Sequence, residues 1–476
     1  MMFYGREEDF HELEALWRRG TASLVTCRGR RRIGKSTLIA EFARRSDARF
    51  LKLEGVAPGK GVDNRVQLNS FRAQLVRQTR TKVGQFADWA EAFVALDKNI
   101  GSRRTVLLLD EISWMGKYDV GFPGELKIAW DNLFKKHDRV IVFLCGSVST
   151  WISKNILNNT GFVGRASLNM VVRELPLAAC VKFWGRRASR TATRDIIDIL
   201  SVTGGVPRYL EEIDPSLSAD ENIRRMCFSP NALLRDDFSK IFNVVFGDHA
   251  VMKRRILEVL AESSLTLTEL CSRLAVERSG SMSEHIDDLE VAGFIAKDSS
   301  VNPSTGRPAK MCRYRLRDNY TRFYLKYIVP NGQAIDSDAF RFGTLDSLKG
   351  WEAIMGLQFE NLVLANLASL LPLIGMDRIL LKYSGPYRRG TTARRRGCQI
   401  DLLLLSDRKA FVVEIKRKRE IGREIEDEVD AKIKALALPR DISVRTALVY
   451  DGNLAPIVEA DGYFDTIVPF RKLLGM

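Results

Sequence analysis

Gly29-Arg30-Arg31-Arg32-Ile33-Gly34-Lys35-Ser36 fits the pattern G-x-x-x-x-G-K-[ST] position for position. Residues 22–27 (Ala-Ser-Leu-Val-Thr-Cys) are short and apolar and read as a buried strand, while residues 37–43 suit a helix. The motif therefore sits between strand and helix, where a phosphate-binding loop belongs. Its glycines let the backbone curl so that successive N–H groups and the helix N-terminus face a phosphate. In that geometry Gly29, Gly34, Lys35, Ser36 and Thr37 form a cradle for a nucleoside triphosphate. Lys35 reaches the β/γ-phosphates and Ser36 ligates Mg²⁺.

Working outward, residues 7–19 carry Phe10, Leu13, Leu16 and Trp17 at helical spacing, just after Tyr4-Gly5-Arg6. Residues 49–53 and 105–109 read as further strands, the latter ending in Asp110-Glu111. Continuous apolar strands alternating with helices predict a parallel sheet covered on both faces. An apolar strand ending in two carboxylates is the Walker B pattern. Asp110 then holds Mg²⁺, and Glu111 orients and deprotonates the attacking water. A fourth strand, residues 140–145, ends in Gly146-Ser147; Ser147 either senses the γ-phosphate or caps the following turn. Arg165 lies before a fifth strand at 168–175, where a ring-forming ATPase presents an arginine finger in trans, or where an ordinary surface arginine would stand. Arg208, in Gly204-Gly205-Val206-Pro207-Arg208-Tyr209-Leu210, is placed to lean over the phosphates from a helical lid.

These segments, in this order, resemble the archaeal-type ATPases of the AAA+/STAND-like P-loop class over residues 1 to about 240. The resemblance implies a five-strand core with a helical lid, ATP as cofactor, and oligomerisation of the kind that forms rings. Three arginines inside the loop make it more basic than that pattern requires.

Residues 251–328 change character. Ile256, Val259 and Leu260, then Leu267, Leu270 and Leu274, then Met282, Ile286 and Leu289 mark three helical faces, followed by two strands around a Pro/Ser/Gly/Arg tip. That is the winged-helix plan, with Arg307, Lys310, Arg313 and Arg315 offered to phosphates. Glu284, Asp287, Asp288 and Glu290 make the third helix acidic, which argues against its entering a major groove.

A second concentration of chemistry follows. Residues 399–405 and 409–416 form two apolar runs around Ser406-Asp407-Arg408, a β-hairpin whose register sets Asp401 opposite Glu414, with Lys416 on the same face. Opposed carboxylates need a neutralising charge, which a divalent cation supplies. Asp401, Glu414 and Lys416 resemble the PD-(D/E)xK nuclease core, which is also what the C-terminal domain of the ATPase family looks like. By that resemblance Asp401 and Glu414 bind Mg²⁺ or Mn²⁺, Glu360 on the preceding helix completes the site, and Lys416 orients or activates the hydrolytic water; a fold kept only to grip DNA is the alternative. Arg388, Arg389, Arg394, Arg395 and Arg396 suit a loop laid along a phosphate backbone, with Arg417, Lys418 and Arg419 extending the same edge.

A net charge of +15 favours a polyanionic partner, DNA before a membrane surface. No apolar run approaches the roughly 20 residues that span a bilayer, and the N-terminus lacks an apolar signal core, so a cytoplasmic location is expected. The seven cysteines form no CxxC pair, which argues against a zinc ribbon or disulfide framework. The expected fold is α/β: an AAA+-type P-loop core (1–175), a helical lid (176–245), a winged helix (246–330) and an α/β restriction-endonuclease-like domain (345–476). The expected function is an oligomeric ATPase coupling nucleotide state to a metal-dependent nuclease-like domain. The alternatives are a STAND-like switch or a transcription regulator whose C-terminal domain only binds DNA.

Overall fold

The computed structural model describes residues 3–147, 149–391 and 397–476, apart from the side chains of Ser149, Asp248 and Lys310. The chain divides into two compact units. One comprises Met1–Glu174 with Ile241–Gly247 and Val291–Gly293; the other comprises Leu175–Lys240, Asp248–Glu290 and Phe294–Met476.

The first unit is built on five parallel strands: β1 (Ser23–Arg28), β2 (Arg49–Glu54), β3 (Thr105–Asp110), β4 (Val140–Gly146) and β5 (Ala166–Val171). They lie in the order β2-β3-β4-β1-β5. Residues of β3 and β4 are buried along their whole length, as expected of strands covered on both faces. On one face Leu24, Leu107 and Val142 pack with Phe71, Trp89, Phe93 and Phe122, where Trp89 and Phe122 meet edge-on at 4.8 Å. Asp63 and Asp88 cap the helices Asn64–Thr79 and Trp89–Asp97 by accepting from Val66 N and Glu91 N. The fifth strand ends at Val171, earlier than its apolar pattern predicts. One more bond, from Val172 N to Arg28 O at 2.8 Å, ties the chain to β1 before it leaves the sheet.

In the second unit the helices Ala250–Leu260, Leu267–Leu274 and the start of Gly280–Val291 precede an antiparallel hairpin, β6 (Ile295–Val301) and β7 (Pro308–Leu316). Leu265 bridges Tyr314, adding a third short edge. A mixed sheet follows, ordered β12-β11-β10-β9-β8, from β8 (Tyr383–Arg389), β9 (Cys398–Leu405), β10 (Lys409–Ile421), β11 (Ser443–Leu454) and β12 (Thr466–Pro469). β8, β9 and β10 pair antiparallel; β10, β11 and β12 pair parallel, with the helix Glu424–Leu436 making the crossover from β10 to β11. Ile400, Leu403, Val412 and Leu448 pack with Ile425 and Val429 of that helix.

Among the described residues no cysteine forms a disulfide, and six of the seven are buried. Among the described residues no single helix is long and apolar enough to cross a membrane.

Candidate functional site

The loop between β1 and the helix Lys35–Arg45 turns through positive φ at Gly29 (149°), Arg32 (68°) and Gly34 (86°). A Cβ at Gly29 would lie 2.4 Å from Val172 O, so only glycine fits there. Lys35 is 8% exposed and donates to Gly29 O (2.8 Å) and Arg30 O (3.1 Å), which folds its ammonium onto the loop. Arg6 Nη2 donates to Ile33 O at 3.0 Å, so the residue before the first helix braces the loop from outside. Arg31 lies over the Trp114 ring at 5.7 Å.

The sheet order brings β3 within reach of this loop, with β4 between them. Ser36 Oγ donates to Asp110 Oδ2 at 2.6 Å. A hydroxyl and a carboxylate joined in this way are the oxygen donors a magnesium ion takes beside triphosphate oxygens, so the residues fit that ion. Lys52 of β2 places its ammonium 3.1 Å from Asp110 Oδ2 and 2.9 Å from Glu54 Oε2. Its sequence context gave no motif, and only the pairing of Glu54 with Asp110 across β2 and β3 reveals it.

Glu111 sits in the left-handed region (φ 49°, ψ 46°), a conformation that costs a non-glycine residue about 1–2 kcal/mol. Its carboxylate accepts from Ser147 N at 3.0 Å and from Ser147 Oγ at 2.9 Å. Ser147 thus touches the residue expected to handle water. Arg165 binds Asp131 through two bonds of 2.8 and 2.9 Å, and Arg165, then Lys127, hold the Asp131 carboxyl at about 2. Arg208, in the second unit, pairs with Glu212 at 2.7 Å and Glu211 at 3.4 Å.

In the second unit the hairpin register is Leu405–Ala410, Leu404–Phe411, Leu403–Val412 and Leu402–Val413. Those pairs point the next rung at Asp401 and Glu414. There the regular ladder stops: Asp401 Oδ2 accepts from Ile415 N at 3.0 Å. Glu414 is 2% exposed and paired with Lys432, and Lys416 pairs with Glu428 at 2.8 Å. Glu414 and Lys416 share a strand face at a spacing of two; Glu428 and Lys432 share a helix face at a spacing of four. The two periods match charge to charge. Burial, then the charge of Asp401, pushes the Glu414 carboxyl up to about 7. Burial, then Asp401, pushes Glu360 up to about 8, and burial raises Asp401 itself.

The charge that neutralises Glu414 is therefore the Lys432 ammonium. Among the described residues no group of three or more His, Cys, Asp or Glu side chains is arranged to hold a metal ion. Glu360 does not complete a ligand set with Asp401 and Glu414. Those two carboxylates still match what Mg²⁺ takes from a protein when waters fill the remaining positions. Lys432 and Glu428 escaped the sequence reading; their four-residue spacing on an amphipathic helix was the available signal.

The basic residues divide. Arg307 is exposed at the β6–β7 tip, while Arg394, Arg395 and Arg396 lie outside the described residues and Lys310 is described by its backbone alone. Arg388 is half-buried and donates to Gln399 Oε1, and Arg389 donates to Ala435 O. Three arginines expected at phosphates are turned inward. Arg313 bonds Ser264 O and Glu269, and Arg315 bonds Asp298 and Asn361. Arg417 is held between Asp198 and Asp451. Desolvated guanidinium needs carboxylate partners, and each of these three has one within the unit.

This fold and loop define a P-loop nucleotide-binding protein. Residues 3–213 match the model of a family described as an ATPase domain predominantly from Archaea. An uncharacterized protein of Methanocaldococcus jannaschii is 24% identical over 430 residues, 89% of each chain. Among solved structures, the Walker-type ATPase of Pyrococcus abyssi is 13% identical, covering 68% of this chain and 96% of its own, with a TM-score of 0.47. The ORC2 protein of Aeropyrum pernix is 13% identical, covering 70% and 94%, with a TM-score of 0.41.

Proposed function

We propose that the chain hydrolyses ATP at the first unit and uses nucleotide state to control a DNA-handling second unit. The observation that carries the ATPase half is the Ser36–Asp110 bond at 2.6 Å beside Glu111. Ser36 and Asp110 would hold Mg²⁺, which neutralises phosphate charge when bound. Lys35 exchanges its loop carbonyls for phosphate oxygens. Glu111 leaves Ser147 to accept a proton from water. Phosphate release by the purified chain tests this: Lys35→Ala and Glu111→Gln should each lower turnover at least 100-fold, and unchanged turnover in either removes the assignment.

The DNA half rests on the net charge of +15, the exposed Arg307 tip, and the three-helix-plus-hairpin element, which we read as a winged helix. We keep 1–175, 176–245, 246–330 and 345–476 as the functional modules. Arg165 acting on a neighbouring subunit's nucleotide, and hence a homo-oligomer, belongs to the same proposal; it requires Arg165 to leave Asp131. For the C-terminal sheet, Asp401 and Glu414 on adjoining strands with Lys416 beside them support metal-dependent phosphodiester cleavage. A divalent cation there would lower the pKa of water, and Lys432 must leave Glu414 to admit it. Cleavage of single-stranded, duplex and branched DNA, with ATP, ADP or neither, tests the coupling. Equal cleavage in all three conditions removes it, and cleavage that survives Lys416→Ala removes the nuclease assignment.

A second reading is favoured by the Lys432–Glu414 and Lys416–Glu428 pairs, which occupy the chemistry cleavage needs. In it the chain is an ATP-dependent switch whose C-terminal domain grips DNA without cutting. DNA binding gated by nucleotide, with no cleavage under Mg²⁺ or Mn²⁺, is its signature.

A further inference from the structure

The second unit contains a cavity of about 210 Å³ that borders the candidate cleavage site through Asp401 and Glu360. One wall comes from the three-helix element and its hairpin, through Ser264, Arg313 and Arg315. The other comes from the C-terminal domain, through Glu360, Arg388 and Asp401. Arg322 forms part of the lining from the segment that follows the hairpin.

Arg313 and Arg315 are neutralised by Glu269 and Asp298 at 3.0 and 2.9 Å. Arg322 and Arg388 have no carboxylate at ion-pair distance among the described residues, and Glu360 acts on both from farther off. Arg322 is 2% exposed; its guanidinium donates to Gln358 Oε1 and Leu316 O, both at 2.7 Å, and its Nε is buried without a partner. Arg388 donates only to Gln399 and, at 3.4 Å, to Ser264 Oγ. Neither forms an ion pair with a carboxylate among the described residues. A buried guanidinium held by neutral acceptors alone is costly, and a fork of N–H donors suits a phosphate better than any other common anion.

The remaining lining limits what can carry that phosphate. Glu360 and Asp401 on the same wall disfavour a second anionic group inside, so the cavity takes one phosphate and any others stay outside it. Leu357, Pro386 and Tyr387 offer an apolar patch for the rest. At about 30 Å³ per displaced water, the enclosed space replaces about seven waters, which receives a phosphate and the adjoining part of a nucleoside and excludes a duplex.

We propose that this cavity binds the phosphate of a single nucleotide, with Arg322 and Arg388 as its donors and the apolar patch receiving the nucleoside. The source is either a free nucleoside monophosphate or the phosphorylated end of a DNA strand. The assignment rests on the DNA-handling reading of this domain, and cleavage is read separately through Lys416.

Calorimetry on the full chain carrying Lys35→Ala, which removes phosphate binding at the P-loop, tests it. The probes are inorganic phosphate, thymidine 5′-monophosphate, and a four-nucleotide DNA with either a 5′-phosphate or a 5′-hydroxyl. Binding of a phosphorylated probe is expected, weakened about tenfold or more by Arg388→Gln and partly restored by Arg388→Lys. Tighter binding of the 5′-phosphorylated strand than of the mononucleotide assigns the strand end; the reverse assigns the free nucleotide. Absence of binding at millimolar concentrations, or equal affinity in Arg388→Gln, overturns the proposal. Arg388 is half-buried, so its variants are expected to fold; Arg322→Gln is a second reading where circular dichroism shows a native fold.

Discussion

At Gly29 a methyl group is enough to disturb the nucleotide loop, because its Cβ would meet Val172 O at 2.4 Å. Gly29→Ala is expected to weaken nucleotide binding at least tenfold and to lower stability by about 1–3 kcal/mol, measurable by calorimetry and a thermal melt. Lys52 acts in the opposite sense. Its ammonium, 3.1 Å from Asp110, competes with any cation that Ser36 and Asp110 hold. Lys52→Met is expected to tighten Mg²⁺-dependent nucleotide binding about threefold to tenfold, an effect moderated by the partial exposure of Lys52. Titration of Mg²⁺ at fixed nucleotide reads it directly. These residues differ in legibility. Gly29, Lys35, Ser36 and Asp110 announce themselves by spacing, because phosphate chemistry fixes the spacing. Lys52 and Arg6 act through backbone carbonyls and a neighbouring strand, which a linear pattern does not encode.

The hairpin β9–β10 and the helix Glu424–Leu436 form the next level. Lys432 neutralises Glu414 in the interior, so Lys432→Ala leaves a buried carboxylate unpaired. A loss of about 3–5 kcal/mol is expected, and adding Glu414→Gln should recover part of it in denaturant titrations. The same cluster sets a pH dependence. The carboxyls of Glu414 and Glu360 rise to about 7 and about 8, so the folded state binds protons more tightly than the unfolded chain. Their contribution is present in full below the ordinary glutamate range and is lost as pH rises through 7 and 8. In chelator-containing buffer the melting temperature should fall between pH 5 and pH 9, and Glu360→Gln should flatten the fall. The hairpin register was readable because a short turn admits few alignments and the strands are apolar. The partner of Glu414 was not, because the helix Glu424–Leu436 must be docked before its charged face can be assigned. The inward turn of Arg313, Arg315 and Arg417 was hidden for the same reason: a basic residue near a predicted DNA site looks identical whether its carboxylate partner is absent or elsewhere in the chain.

For the whole molecule, the net charge of +15 makes any association with DNA sensitive to ionic strength. Affinity measured by fluorescence anisotropy should fall by at least tenfold between 50 and 200 mM salt, as expected for contacts with several phosphates. The slope should be unchanged by Lys35→Ala, since counterion release is independent of the nucleotide loop. The parallel sheet was legible from five apolar runs, whereas the partition was less so. The first unit recruits Ile241–Gly247 and Val291–Gly293 from far along the chain, and local sequence carries no mark of such distant membership.

The strand order β2-β3-β4-β1-β5 also has a consequence for synthesis on the ribosome. β1 carries the nucleotide loop, yet both its neighbours come late: β4 begins at Val140 and β5 at Ala166. At about 5–20 residues per second, β1 waits roughly seven to thirty seconds after emerging before its second neighbour is complete. Until β4 has emerged, Leu24 and Val25, both buried in the finished sheet, have no partner on β4 or β5. The nascent chain is therefore a natural client for a holding chaperone, and slowing elongation between Arg28 and Val171 would lengthen its exposure.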